Sequence, residues 1–292
     1  TTYMDTNNIL PDSIQSIDFD FDNNSDRFGY SLKFGADYSI TDHLIVNGEL
    51  NYDQHLHTGD NQQIYESYTQ SIKENDFENN YDFEGFLDIN QTFDNPDQEL
   101  NFSISYDIEK DNESEMLLSE NNDLTQLYQN MKTIDVDFSY KYPLNDKSKI
   151  ELGYDGKINN NEEIMDFEIA NFNGENTFFY DRSIHGLYFE YDHKLNERFS
   201  IKPSIRYENI SKDISFTSEK SGDETILYAQ ILSLLDDSTF IDNYNMIYPD
   251  FHITYNINDN QSLQFGLSKR VNRPGDGGHG GGSRQIRPFP RD

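Results

Sequence analysis

The sequence predicts an all-β fold, a partial transmembrane barrel of about ten antiparallel up-and-down strands. Three observations carry this. Short segments alternate apolar and polar residues with period two, which places each apolar set on one face of a strand. The connections between them run short, long, short, long, with every long one at the same end. Tyrosines gather near strand ends, and no apolar run approaches the roughly 20 residues of a spanning helix, an absence that does not argue against a barrel because its strands alternate.

The first clear strand covers about 28–40, with Phe28, Tyr30, Leu32, Phe34, Ala36, Tyr38 and Ile40 opposite Ser31, Lys33, Asp37 and Ser39. The turn Thr41-Asp42-His43 leads to a second at 44–52, where Leu44, Val46, Leu50 and Tyr52 alternate with Asn47, Glu49 and Asn51. A polar stretch, 53–80, reads as a loop. Strands then follow at 81–93, where Phe86 breaks the polar side, and at 100–108, joined by Asp94-Asn95-Pro96-Asp97. The loop 110–131 precedes strands at 134–142 and 150–154, joined by Pro143-Leu144-Asn145-Asp146.

After a third loop, 156–182, comes the clearest hairpin. Leu187, Phe189 and Tyr191 alternate with Tyr188, Glu190 and Asp192. Beyond Leu195-Asn196-Glu197-Arg198, Phe199, Ile201, Pro203, Ile205 and Tyr207 stand opposite Ser200, Lys202, Ser204, Arg206 and Glu208. The fourth loop, 210–245, contains apolar residues from Ile226 to Leu235 at a spacing that suits a short helix. Strands at 247–257 and 263–267 complete the ten, around Asn258-Asp259-Asn260. An eleventh is offered by 13–22, where Ile17, Phe19 and Phe21 alternate with Asp18, Asp20 and Asp22. A calcium loop on those three aspartates fails, because Asn23 and Gly29 stand where Gly and Glu are needed.

A formal charge of -32 on 292 residues excludes nucleic acid as a partner, since phosphate binding needs clustered Lys and Arg. The 14% of aromatic residues speaks against disorder. Tyr38, Tyr52, Tyr106, Tyr140, Tyr154, Tyr207 and Tyr255 lie near strand ends, where an interfacial aromatic girdle falls. Without cysteine there is no disulfide and no thiolate metal site. The opening Thr1-Thr2-Tyr3-Met4-Asp5 has no signal-peptide character.

The stretch from Gly186 to Glu208 resembles the late strands of TonB-dependent outer-membrane receptors. More narrowly, it is similar to the outer-membrane β-barrel family common in Bacteroidetes. Tyr248 to Asn260 (Y-P-D-F-H-I-T-Y-N-I-N-D-N), Ser268 to Pro274 (S-K-R-V-N-R-P) and Arg287-Pro288-Phe289-Pro290 fit that family's pattern. The resemblance covers essentially the whole chain and is most specific at Asn272-Arg273-Pro274. It implies an outer-membrane protein of a Gram-negative, Bacteroidetes-like cell. As partners it implies outer-membrane lipid, an own plug domain and a TonB complex, and a nutrient such as a siderophore, vitamin, peptide or glycan. Plug and TonB box match nothing in the chain, and ten or eleven strands fall short of the roughly 22 of such receptors. Residues 1–292 are therefore expected to form one internal barrel domain of a longer polypeptide, with plug, signal peptide and C-terminal strands absent.

No catalytic, cofactor-binding or metal-ligating constellation emerges, so the expectation is a protein that is not an enzyme. His55 and His57, two apart on one strand-like face, are a candidate pair of metal ligands, with solvated loop histidines as the alternative. The glycine tract Gly275 to Ser283 lacks the Lys-Ser/Thr of a phosphate loop and reads as a flexible insertion. Lys33, Asp37, Glu49, Asp135, Asp137, Lys141, Glu190, Lys202 and Arg206 are expected to line the lumen, by solvation alone or along a substrate path. Acidic charge is expected mainly in the loops 53–80 and 110–131, either to capture a cationic or metal-bearing ligand or to keep the barrel soluble during export. Three functions fit: nutrient transport, an adhesion or binding barrel that displays acidic loops, and a soluble secreted carbohydrate-binding β-sandwich.

Overall fold

In the computed structural model, residues 2–5, 16–65, 70–118, 123–169, 171–222, 236–258 and 260–269 are described, with side chains described from Asp22 onward outside 63–72. The strands are β1 (Thr2–Asp5), β2 (Ser16–Thr41), β3 (Leu44–Tyr65), β4 (Gln70–Thr92), β5 (Glu99–Leu118) and β6 (Asp123–Asn145). They continue with β7 (Ser148–Ile169), β8 (Phe172–Lys194), β9 (Phe199–Gly222), β10 (Ser238–Asn258) and β11 (Gln261–Ser268). All eleven form a single antiparallel sheet in chain order, open between β1 and β11. This is the up-and-down partial barrel that the alternation predicts, and not the two packed sheets of a sandwich.

The strands are much longer than the apolar segments within them. β2 has 26 residues and β9 has 24, whereas a tilted strand crosses a bilayer in about 9–11. The polar stretches 53–80, 110–131, 156–182 and most of 210–245 are therefore mainly strand and not loop. The described strands leave just 6–15, 66–69, 119–122, 170–171 and 223–237 between them at that end. Asn, Asp and Glu disfavour strands in isolation, but a ladder in unbroken register with its neighbours holds them there. The candidate helix at Ile226–Leu235, the calcium reading's Asp18 and Asp20 side chains, and the Arg270–Asp292 tail lie outside the described residues.

At the opposite end the turns share one device. The side-chain oxygens of Thr41, Asn95, Asn145, Asn196 and Asn258 accept backbone N–H bonds from two residues on, at 2.9–3.2 Å. Such side chains mimic a backbone turn, which explains why the hairpins close in so few residues.

Pleating gives the sheet two faces, and register connects them strand to strand. Phe34 lies beside Leu50, Leu50 beside Gly85, Leu87 beside Ile104, and Phe189 beside Ile205. This apolar face is exposed: Phe34 is 69% accessible, Leu187 57% and Leu267 68%. The opposite face buries polar groups, with Glu190 at 6% and Glu208 at 4%. A water-soluble protein would have this reversed, whereas a lipid-facing barrel turns apolar side chains outward and polar ones to its lumen. The predicted faces are those observed.

The outward apolar band starts at Phe28 on β2 but only at Leu187 on β8. Leu187 shares a register row with Tyr154, Phe138, Phe102, Ile89, Val46 and Tyr38. The band's upper edge thus slides along the strands as it crosses them, as strands tilted to a membrane require.

Candidate functional site

The inward face is the candidate site. All nine residues expected in the lumen lie on it, and register brings most into ion pairs. Lys33 Nζ is 2.5 Å from Glu49, Lys141 3.3 Å from Glu99, and Lys202 2.7 Å from Glu190. Asp135 pairs with Lys157 at 3.6 Å, while Asp137 stands beside Asp155 in register. Asp37 shares the face through its register partner Asn47. Arg206 joins the most connected group. Its guanidinium pairs with both oxygens of Asp155 and donates Nε to Glu208 at 2.7 Å.

Two glycines make that group possible. A Cβ on Gly186 would meet the Arg206 guanidinium, and one on Gly153 would meet the Tyr188 ring. Tyr188 occupies the space beside Gly153 and donates its hydroxyl to Glu151 at 3.0 Å. Arg182, 8% accessible, donates to Asn159 at 3.2 Å. Pairing of this kind keeps buried charges solvated by protein groups, though it is a weak source of net stability. Asp155, Lys157 and Asn159 were hidden in the sequence because they continue strands beyond the obvious apolar alternation.

The acidic charge is not held in loops, as the composition of 53–80 and 110–131 suggests, but on strands. On β5 every second residue from Asp107 to Glu115 is a carboxylate, and all of them point inward. On β4, Glu74, Asp76, Glu78, Asp82 and Glu84 share that face. The cations of these two strands, Lys73 and Lys110, stand on the other face. Period-two alternation within the polar stretches was the signal that could have found this.

His55 and His57 also face inward. His57 Nε2 lies 2.8 Å from Asp76, and Arg27 Nε donates to His57 Nδ1 at 3.4 Å, so His57 is engaged by two neighbours. Among the described residues no group of three His, Asp or Glu is placed to hold a metal ion.

Outward, aromatic side chains form a run along the upper boundary of β2–β4. Ring centroids of Tyr30 and Tyr52 lie 6.0 Å apart and those of Tyr52 and Tyr81 6.3 Å, with Lys110 Nζ 5.5 Å from the Tyr81 ring. At the lower boundary Tyr140 packs beside Tyr142 at 6.1 Å and Phe199 beside Tyr255 at 4.5 Å. An apolar band between two aromatic belts is the signature of a barrel in a bilayer.

Comparison with solved structures agrees with this geometry. The ferric yersiniabactin uptake receptor FyuA of Yersinia pestis matches with a TM-score of 0.50 at 10% identity, over 83% of this chain and 45% of that one. The siderophore receptor PiuA of Acinetobacter baumannii matches at 0.43 and 6% identity, over 82% and 47%. The chain thus spans about half the length of these receptors. The first likeness supports the fold. No curated protein sequence matches the chain. The model of the outer membrane protein beta-barrel family matches residues 91–289. With its lipid-facing band, girdles and polar inner face, this chain belongs to the outer membrane protein beta-barrel family and resides in the outer membrane.

Proposed function

We propose that the chain is the barrel wall of a receptor that imports a nutrient through the outer membrane. One observation carries this reading: an extensively ion-paired, polar inner face stands behind an apolar, lipid-facing band. A protein that only displayed its outer ends could fill the barrel with packed apolar side chains. Charged groups held at fixed positions along the inner wall, from Lys33–Glu49 to Arg206–Asp155, suit a hydrated path or a polar plug surface instead. The short Asx-type turns are assigned to the periplasm and the long strand extensions to the exterior, as in outer-membrane barrels generally. Energy coupling through a plug and a TonB complex belongs to the same proposal, and it places the moving parts outside this sheet.

The test uses the full-length protein in its cell. Cells with and without it are supplied with radiolabelled siderophore, vitamin, peptide and glycan pools, with and without a protonophore. Transport predicts accumulation of one pool that needs both the protein and the proton-motive force. Equal accumulation of every pool in both strains would overturn transport and favour the adhesion barrel.

A further inference from the structure

Above the membrane band, the alternation of β8–β10 changes sides. On β8, Leu187 and Phe189 point outward, but Phe178, Tyr180 and Ile184 point inward. On β9, Ile205 and Tyr207 point outward, whereas Ile210, Ile214 and Phe216 point inward. Register sets these side by side: Ile184 against Ile210, Tyr180 against Ile214, Phe178 against Phe216, and Ile210 against Tyr244. Their outward neighbours there are mostly polar, including Asp181, Asp213 and Thr217, with Phe179 and Ile241 as apolar exceptions. The flip from apolar-out to apolar-in marks where lipid ends and water begins on the outer surface.

Water on the outside explains why the outer side turns polar. It does not explain why the inner side turns apolar, since the vestibule is also wet. Ile184 and Ile210 are buried among their neighbours, but Phe178, Tyr180, Ile214 and Phe216 remain partly open. Phe167 and Phe172, nearer the tip, stack on one another at 5.7 Å and serve the hairpin's own packing. The cations on the apolar face are locally engaged. Arg182 bonds Asn159 and lies 6.0 Å from the Tyr180 ring, and Lys212 lies 5.9 Å from the Tyr244 ring and opposite Asp242.

We propose that the inward apolar face of β8–β10 above the membrane docks the apolar side chains of a basic peptide. The charge assignment comes from complementarity with the flanking wall. β5 stands three strands from β8, about 14 Å at the usual spacing, and shows a carboxylate at each inward position from Asp107 to Glu115. A ligand seated on Phe178 and Phe216 that reaches this wall needs positive groups along its length. A chain of alternating aromatic and basic residues meets both surfaces at once. Carboxylates would also repel an anionic competitor at moderate salt. The assignment rests on the transport reading for its biological purpose, not for the binding itself.

The experiment uses the full-length receptor in nanodiscs and three fluorescein-labelled decapeptides, of alternating Lys-Phe, Glu-Phe and Lys-Ser. Fluorescence anisotropy is expected to show Lys-Phe at least about tenfold tighter than either other peptide, a difference of about 1.4 kcal/mol. Its affinity should also fall as salt rises. Phe178→Ser with Phe216→Ser should reduce Lys-Phe binding about tenfold and leave Lys-Ser unchanged, in barrels whose heat-modifiable gel mobility shows that they are folded. Equal binding of the three peptides to the unaltered receptor would overturn the proposal, and that comparison needs no variant. So would unchanged Lys-Phe binding by a folded double variant. Specific Lys-Phe binding without any energised uptake would overturn transport and keep the docking surface. Uptake of another pool with no Lys-Phe preference would do the reverse.

Discussion

Ile205 and Ile210 lie five positions apart on β9, on opposite faces and in opposite surroundings. Ile205 is 48% accessible on the outer face within the apolar band, and Ile210 is 0% accessible on the inner face above it. In the membrane segment the apolar residue meets lipid and the charged one meets its partners along the inner wall. Above the membrane the apolar residue is covered by Ile184 and Tyr244, its register neighbours. Alternation alone therefore says that a strand has two faces, not which solvent each face meets. The phase of the alternation, and where it slips, carries that information.

The largest effect expected from this contrast is on packing. Ile210→Ala removes a fully buried side chain and should destabilise the barrel by about 2–5 kcal/mol. Ile205→Ala, on the lipid face, should cost far less, because lipid chains close over the gap. Urea unfolding of the full-length protein in vesicles measures both. Similar losses at the two positions would break the comparison.

A second, slightly smaller effect sharpens it from the polar side. Ile205→Arg places a cation against lipid and should cost about 2–4 kcal/mol near mid-bilayer. Thr217→Arg lies on the same outward face of the same strand, but beyond the band and exposed, and should be nearly silent. Ser204→Arg, inward beside Glu190 and Asp250, should also be tolerated. Equal costs for Ile205→Arg and Thr217→Arg would mean that the band does not end where the girdle places it.

Much of the membrane segment was legible in the sequence. Phe199 to Glu208 gave its strand, its faces and its hairpin from the order of residues alone, and Thr41, Asn145, Asn196 and Asn258 gave turns with a mechanism. The extensions were not legible for two physical reasons. Stretches such as Asn159-Asn160-Asn161-Glu162-Glu163 have low strand propensity, and only pairing with Gln129 to Thr133 and Phe178 to Arg182 makes them strands. The phase slip also disguises the period. Ile164 and Met165 are adjacent apolar residues where β7 passes from one facing pattern to the other. The ion pairs were half legible: Lys202 and Arg206 announce a polar face, but Asp155 is 51 residues away and only register names it as the partner.

The smallest expected effect concerns pH at the outer tip, beyond the membrane. There Asp166 on β7 faces Glu175 on β8, with Glu219 next across on β9. Burial first, and then the charge of Glu175 and a hydrogen bond to it, push the Asp166 carboxyl above its ordinary range. A carboxyl whose pKa is higher folded than unfolded takes up a proton more readily when folded. The tip is therefore penalised at pH values above the raised pKa, and the penalty fades as pH falls through it. Amide hydrogen exchange at the tip of β7 and β8, corrected for intrinsic rates, should show greater protection at mildly acidic than at neutral pH. Asp166→Asn should bring the acid-level protection to neutral pH and flatten the profile. The outward face of the tip meets water, so the shift must be small compared with the losses at Ile210 and Ile205. A profile unchanged by Asp166→Asn would mean that the pH dependence of the tip does not come from the Asp166 carboxyl.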